Sequence, residues 1–142
     1  MLTIGSLAKR TGTKVQTIRY YEQIGLMPEP GRSAGGQRRY DLAQLDRLAF
    51  IRHARQLGFA LEAIRELLDL SDHPNRPCAD ADAIAARQLR QVEQRMVRLD
   101  ALRTELARMV HECKGGHSAE CRVLEVLRDH AECLTDHQQI GA

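Results

Sequence analysis

The chain has 142 residues, 43% hydrophobic and 28% charged, with a formal net charge of +2, a composition that suits one compact unit and one long helix. Aromatic residues make up 4% and tryptophan is absent, which argues against a large aromatic-lined pocket. No apolar run reaches signal-peptide or membrane-span length, so a cytoplasmic protein is expected. Its four cysteines then point to a metal site or redox sensor rather than to structural disulfides.

The charge is unevenly spread. Residues 1–57 hold ten Lys/Arg against four Asp/Glu, a net of +6, which leaves −4 for the remainder. A basic N-terminal half suggests a polyanion-binding domain, with a plain solvated surface as the alternative. Thr3 is placed to cap a helix from Ile4 to Thr11, with Ile4, Leu7 and Ala8 on one face. Gly12 interrupts it and Thr13 is placed to cap a second helix from Lys14 to Gln23, with Val15 and Ile18 inward. Two short helices around a Gly-containing turn make a helix-turn-helix. The outer face of the second helix presents Lys14, Gln16, Thr17, Arg19 and Tyr20, residue types that reach base edges and phosphates from the major groove.

Residues 25–40 are too rich in Gly and Pro to continue as helix. The ends, Leu26-Met27-Pro28 and Arg38-Arg39-Tyr40, are expected to pair as short strands around Gly35-Gly36, forming a wing. Arg32, Arg38, Arg39 and Tyr40 would then grip the phosphate backbone beside the recognition helix. Asp41 is a candidate cap for a third helix to Gln56, Gly58 ends it, and a fourth helix is expected from Leu61 to Leu70.

After the proline-containing loop 71–78 there is neither Gly nor Pro from Asp80 to Glu112. Ala85, Leu89, Val92, Met96, Leu99, Leu106 and Val110 recur there in steps of three and four, with Arg103 the polar intrusion. This is a coiled-coil seam, and a helix on the order of 50 Å long needs a partner to cover it, most economically a second copy of the chain. An intramolecular hairpin is the alternative, but little chain follows residue 121. The long helix leads into the loop CKGGHSAEC, residues 113–121, which holds Cys113, His117 and Cys121; Cys78 precedes the helix. Thiolates suit zinc, cadmium, lead, mercury or cuprous ions. Gly115-Gly116 would let the loop fold its two sulfurs together, and Cys121 would open a further helix whose N-terminal dipole favours a thiolate.

The stretches TIRYYEQIGLMPEPGRSAGGQRRY (residues 17–40) and FIRHARQLGFALEAIRELL (residues 50–68) resemble the MerR family of bacterial transcription regulators. The likeness spans roughly residues 2–128: helix-turn-helix, Gly-rich wing, second helix pair and long helix follow in order. It implies a mainly α fold, with a winged helix-turn-helix over 1–70 and a linker loop over 71–79. An antiparallel coiled-coil dimerisation helix would span 80–112, a metal-binding loop with a short helix 113–132, and a tail 133–142. It also implies a homodimer on double-stranded promoter DNA, which underwinds and bends the DNA on binding its ligand so that RNA polymerase can engage both promoter elements. Lys14, Gln16, Thr17, Arg19 and Tyr20 would follow the groove, Arg32, Arg38 and Tyr40 would sit on the wing, and Arg55 would anchor the flank.

The resemblance also bears on the metal. With antiparallel helices, Cys78 of one subunit lies beside Cys113 and Cys121 of the other. Three thiolates with a divalent ion, or two with a cuprous ion, leave a net charge of −1. The copper-type branch resembles this loop but carries serine where Cys78 stands, so the expectation is one divalent ion per site, zinc foremost, with cadmium or lead as alternatives. A Cys3His set with His117 suits tetrahedral zinc or cadmium, whereas lead and mercury accept three thiolates. The zinc-responsive branch has adjacent cysteines where this chain has Cys113-Lys114. With only a short stretch after Cys121, no bulky organic effector is expected. The competing readings are a cuprous, silver or gold sensor using Cys113 and Cys121 alone, a thiol redox switch closing a Cys113 to Cys121 disulfide, and a small zinc enzyme. The last lacks a catalytic motif, and no enzyme is expected.

Overall fold

A computed structural model describes residues 1–112, 116 and 121–129. Thr3 opens helix α1 (Ile4–Thr11): its Oγ1 accepts from the Ser6 amide at 3.1 Å, satisfying one of the donors that a helix start leaves over. Gly12 closes α1 in the left-handed region at φ +68°, where a Cβ is strained and glycine is not. Helix α2 (Val15–Gln23) follows at once, with Lys14 at its N-cap position and no side-chain cap; Thr13 therefore does not cap it. Ile18 and Tyr21 turn inward from α2 and Leu7 from α1.

The wing is displaced from its expected place. Strand β1 is Gly31–Arg32 rather than Leu26-Met27-Pro28, and it pairs antiparallel with β2 (Arg38–Arg39), Gly31 opposite Arg39 and Arg32 opposite Arg38. Two physical reasons account for the shift. Pro28 and Pro30 have no amide N–H to give a ladder. Leu26 and Met27, each 1% exposed, are drawn into the core, and their amides bond the Tyr21 carbonyl at 2.9 and 3.1 Å. Leu2 adds a further rung by exchanging backbone hydrogen bonds with Tyr40 at 2.7 and 2.9 Å.

Asp41 caps α3 (Leu42–Gln56) through a reciprocal capping box with Gln44. Helix α4 (Leu61–Ser71) follows. Leu48 and Ile51 from α3 and Ile64 and Leu68 from α4 join Leu7, Ile18, Tyr21, Leu26, Met27 and Tyr40 in one buried cluster. A fully buried aliphatic side chain contributes on the order of 1.5–3 kcal/mol, so this cluster sets the position of α2.

The chain divides into two compact units, Met1–Ala85 and Ala86–Ala142. Helix α5 (Ala79–Glu112) has 34 residues. Along it Leu89, Val92, Met96, Leu99, Leu106 and Val110 are exposed, from 38% at Val92 to 71% at Val110, so the seam is an apolar stripe that a single chain leaves to water. Helix α6 (Arg122–Arg128) is tied to the end of α5 by an Arg122 to Glu112 pair at 2.5 Å. Among the described residues no helix is long and apolar enough to cross a membrane.

A Cβ at Gly12 would meet the Arg52 guanidinium at 3.1 Å. Gly12→Ala should lower unfolding stability by about 1–2 kcal/mol from left-handed strain alone, read as a lower denaturation midpoint with an unchanged slope.

Candidate nucleic-acid interface and metal loop

Lys14 at the N-cap of α2 and Gln16, Arg19 and Tyr20 on the helix are exposed, and Thr17 between them is half-buried. Ile18 and Tyr21 anchor the opposite face, so burial of two side chains decides which face is presented. A cleft of 490 Å³ lies between this helix and the wing, lined by Arg19, Glu22, Gln23, Glu29, Arg32 and Arg38. Arg32 is exposed and donates to the Gly36 carbonyl at 3.1 Å, across the wing turn.

Glu22 joins the wing to the recognition helix. Its carboxylate, 7% exposed, takes Arg38 Nη1 at 3.3 Å on one oxygen and the Tyr40 hydroxyl at 2.6 Å on the other. Tyr40 itself is fully buried, so it does not grip phosphate directly as the sequence suggests: its side chain faces the core and holds Glu22. Burial pushes the Tyr40 phenol well above its ordinary value of 10.0, and the hydrogen bond to Glu22 adds to the shift.

Three arginines outside the expected set hold α2 and its flanks. Arg52 of α3 donates to the Gly12 carbonyl in the helix-turn-helix turn. Arg65 of α4 donates to the Ile24 carbonyl at 2.7 Å, at the end of α2, and Arg47 Nε donates to the Leu26 carbonyl at 3.0 Å. The carbonyls of the last turn of α2, those of Tyr20, Tyr21 and Glu22, already accept amides from residues 24–27, so these arginines bond the flanking chain instead, and no local pattern in the sequence marks them. Arg55 is exposed and closes the α3–α4 turn by donating to Phe59 O at 2.9 Å.

Of the expected metal ligands, Cys78 and Cys121 are described, whereas Cys113 and His117 lie outside the described residues. Cys78 is exposed and its carbonyl accepts from the Asp82 amide at 3.0 Å, which starts α5. Cys121 is half-buried, at the N-cap of α6. Glu112 directly precedes Cys113 and Arg122 directly follows Cys121, so the 2.5 Å pair between them pins together the two ends of the cysteine loop. Arg108 reaches Glu105 at 3.0 Å and Glu112 at 3.6 Å. The Arg122 hydrogen bond holds the Glu112 carboxyl below its ordinary range, and the Glu105 hydrogen bond raises the Arg108 guanidinium. Among the described residues no three His, Cys, Asp or Glu side chains come together as a metal site. The described thiols are soft donors of the kind that thiophilic ions take.

A helix-turn-helix with a wing, followed by a long helix with an exposed apolar seam, defines a DNA-binding regulator. Residues 2–71 match the MerR HTH family regulatory protein model and residues 45–109 match the MerR, DNA binding model. The chain is 42% identical over 134 residues to the HTH-type transcriptional regulator ZntR of Escherichia coli, covering 92% of this chain and 95% of that protein. It is 36% identical over 126 residues to CueR, another E. coli HTH-type transcriptional regulator, covering 89% of this chain and 93% of that one. The crystal structure of the transcription regulator PbrR691 from Ralstonia metallidurans CH34 in complex with lead(II) superimposes with a TM-score of 0.77. The two share 42% identity, over 89% of this chain and 99% of that one. The chain belongs to the MerR family of DNA-binding transcriptional regulators. Its relatives are regulators and not enzymes, as the sequence led us to expect.

Because the folded Tyr40 phenol titrates above its unfolded value of 10.0, its contribution is complete below pH 10 and is lost as pH rises toward the folded value. Tyr40→Phe should cost about 1.5–3 kcal/mol at neutral pH, the worth of a hydrogen bond to a charged group. The gap to the parent chain should narrow above pH about 10, as measured by urea unfolding at a series of pH values.

Proposed function

We propose that this chain is a homodimeric, metal-responsive activator. On binding one divalent thiophilic ion per site it distorts promoter DNA so that RNA polymerase can use it. Zinc is the first candidate, with cadmium and lead as alternatives. The observation that carries the reading is the Glu112 to Arg122 pair, which draws together the ends of a loop bearing Cys113 and Cys121. Cys113 and Cys121 of one subunit, with Cys78 of the other and His117 as a fourth donor, would hold the ion. Similarity to ZntR and to lead-bound PbrR691 supports the divalent branch. The exposed seam of α5 would be covered by the same helix of the second copy.

On DNA, Lys14, Gln16, Thr17, Arg19 and Tyr20 would lie along the groove, Arg32 and Arg38 would face the flanking phosphates, and Arg55 would contact the outer backbone. Tyr40 would act one step back, by holding Glu22 and through it Arg38. Bending and untwisting a promoter costs on the order of several kcal/mol, and phosphate contacts must offset it.

A second reading, a cuprous, silver or gold sensor built on Cys113 and Cys121 alone, is favoured by one fact. Those two cysteines share a loop, whereas Cys78 belongs to the other compact unit. Titration of the purified dimer with zinc, cadmium, lead and copper(I) separates the two readings. The divalent reading expects two ions per dimer. In Cys78→Ser it expects divalent affinity to fall by at least about 100-fold, more than the loss of an outer-shell partner costs, with copper(I) binding retained. Unchanged zinc, cadmium and lead affinities in Cys78→Ser would favour the two-thiolate sensor. Arg19→Ala should weaken DNA binding and, if Arg19 contacts phosphate, lower the salt dependence by about one ion. A gel-shift series at several salt concentrations reads both, and unchanged binding would remove Arg19 from the interface.

A further inference from the structure

One guanidinium bridges the two helices that flank the loop carrying Cys78. Arg76 Nη1 lies 2.6 Å from Asp69 Oδ2 on α4, and Arg76 Nη2 lies 3.3 Å from Asp80 Oδ2 on α5. The side chain thus spans from the helix before the loop to the helix after it, with Cys78 between Arg76 and Asp80 in sequence. The backbone is closed by short turns on either side. The His73 amide bonds Leu70 O at 3.1 Å, the Arg76 amide bonds His73 O at 3.0 Å, and the Asp82 amide bonds Cys78 O at 3.0 Å. His73 Nδ1 sits 2.7 Å from the Asp69 carbonyl oxygen. Pro74 and Pro77 restrict the backbone further.

The same segment is tied to the DNA-reading elements. Asp72, at the end of α4, accepts from Arg47 Nη1 at 3.3 Å, and Arg47 Nε donates to Leu26 O just beyond α2. Arg65 on α4 donates to Ile24 O at the end of α2. Each contact is a fixed side chain on a backbone group or carboxylate, all within the unit Met1–Ala85.

We propose that Arg76 is a positioning residue for the metal response: it makes the Cys78 loop and α4 move as one piece, so that an ion pulling on Cys78 displaces the whole DNA-reading head. This rests on Cys78 being a metal ligand, as proposed above. All three side chains in the bridge are exposed, from 43% at Arg76 to 57% at Asp69. Exposed pairs of this kind add little to stability, so Arg76→Ala stays folded.

The test uses the full-length dimer and zinc. Both subunits carry a spin label at exposed Glu62 of α4, attached through a non-cysteine chemistry, and the distance between the two heads is measured before and after zinc. Zinc should shift that distance in the parent chain. In Arg76→Ala zinc should bind with affinity within about threefold of the parent chain while most of the shift is lost, so that binding and response separate. Arg76→Lys, whose single ammonium cannot serve both carboxylates in the guanidinium's geometry, should keep only part of it. A full shift in Arg76→Ala overturns the proposal, as does no shift in the parent chain, and so does an Arg76→Ala chain whose zinc affinity falls along with the shift. A Cys78→Ser chain with undiminished zinc affinity overturns instead the ligand reading beneath it, an outcome separate from anything Arg76→Ala shows.

Discussion

A recognition helix of nine residues cannot hold its own place. Its hydrogen bonds leave carbonyls over at the C-terminal end, and α2 carries neither a side-chain cap at its start nor a basic residue in its last turn. The chain that follows takes up the carbonyls of Tyr20, Tyr21 and Glu22, and the rest of the DNA-binding unit fixes the flanks. Arg52 serves the turn before α2, Arg65 and Arg47 serve the chain after it, and Glu22 binds the wing to its flank through Arg38 and Tyr40. The core beneath, built on Ile18, Tyr21, Leu48, Ile51 and Ile64, fixes the helix in depth, while these polar ties fix its ends. Arginines of this unit are therefore divided between two tasks, with Arg47, Arg52 and Arg65 also bonding the backbone that flanks α2.

The long helix presents the opposite situation. It satisfies its own backbone over 34 residues, but its apolar seam has no cover within the described chain. Burial of such a stripe contributes roughly 25 cal/mol per Å², which a lone chain forgoes. The pairing with a second copy proposed above would thus draw on the hydrophobic effect, and the polar ties of the first unit would leave the heads intact as the seam pairs.

How far the sequence could be read follows from the range of each interaction. Helices α1, α3, α4 and α5 were legible to within a residue or so because Thr3, Gly12 and Asp41 act on neighbours and because apolar spacing is local. The seam was legible for the same reason. The wing strand was misplaced because Leu26 and Met27 look as much like a strand as like core, and only the packed structure decides between them. The inward turn of Tyr40 is not legible in the sequence, because it depends on the bridge to Leu2, 38 residues away, and on the core beneath. The arginine ties escaped notice because they join residues forty and forty-one apart, Gly12 with Arg52 and Ile24 with Arg65. The loop cysteine Cys113 and His117 were readable only from spacing and lie outside the described residues.

These ties restrict how a metal signal can reach DNA. With both ends of α2 bonded within its own unit and Glu22 holding the wing against it, reorienting α2 alone would break several hydrogen bonds, of which the part-buried ones, Tyr40 to Glu22 and Arg47 to Leu26 O, would each leave a group unpaired at about 1–3 kcal/mol, while the exposed Arg52 and Arg65 bonds cost less. A metal ion offers only its differential affinity for two states, and typical coupling free energies are about 1–3 kcal/mol. Breaking two such ties would consume all of it. Moving the unit as a whole breaks none of them, since every one of these ties lies within Met1–Ala85. The magnitudes therefore favour a response in which the spacing of two intact heads changes. That is the kind of change to which promoter DNA, itself deformable at a similar energy, can be fitted.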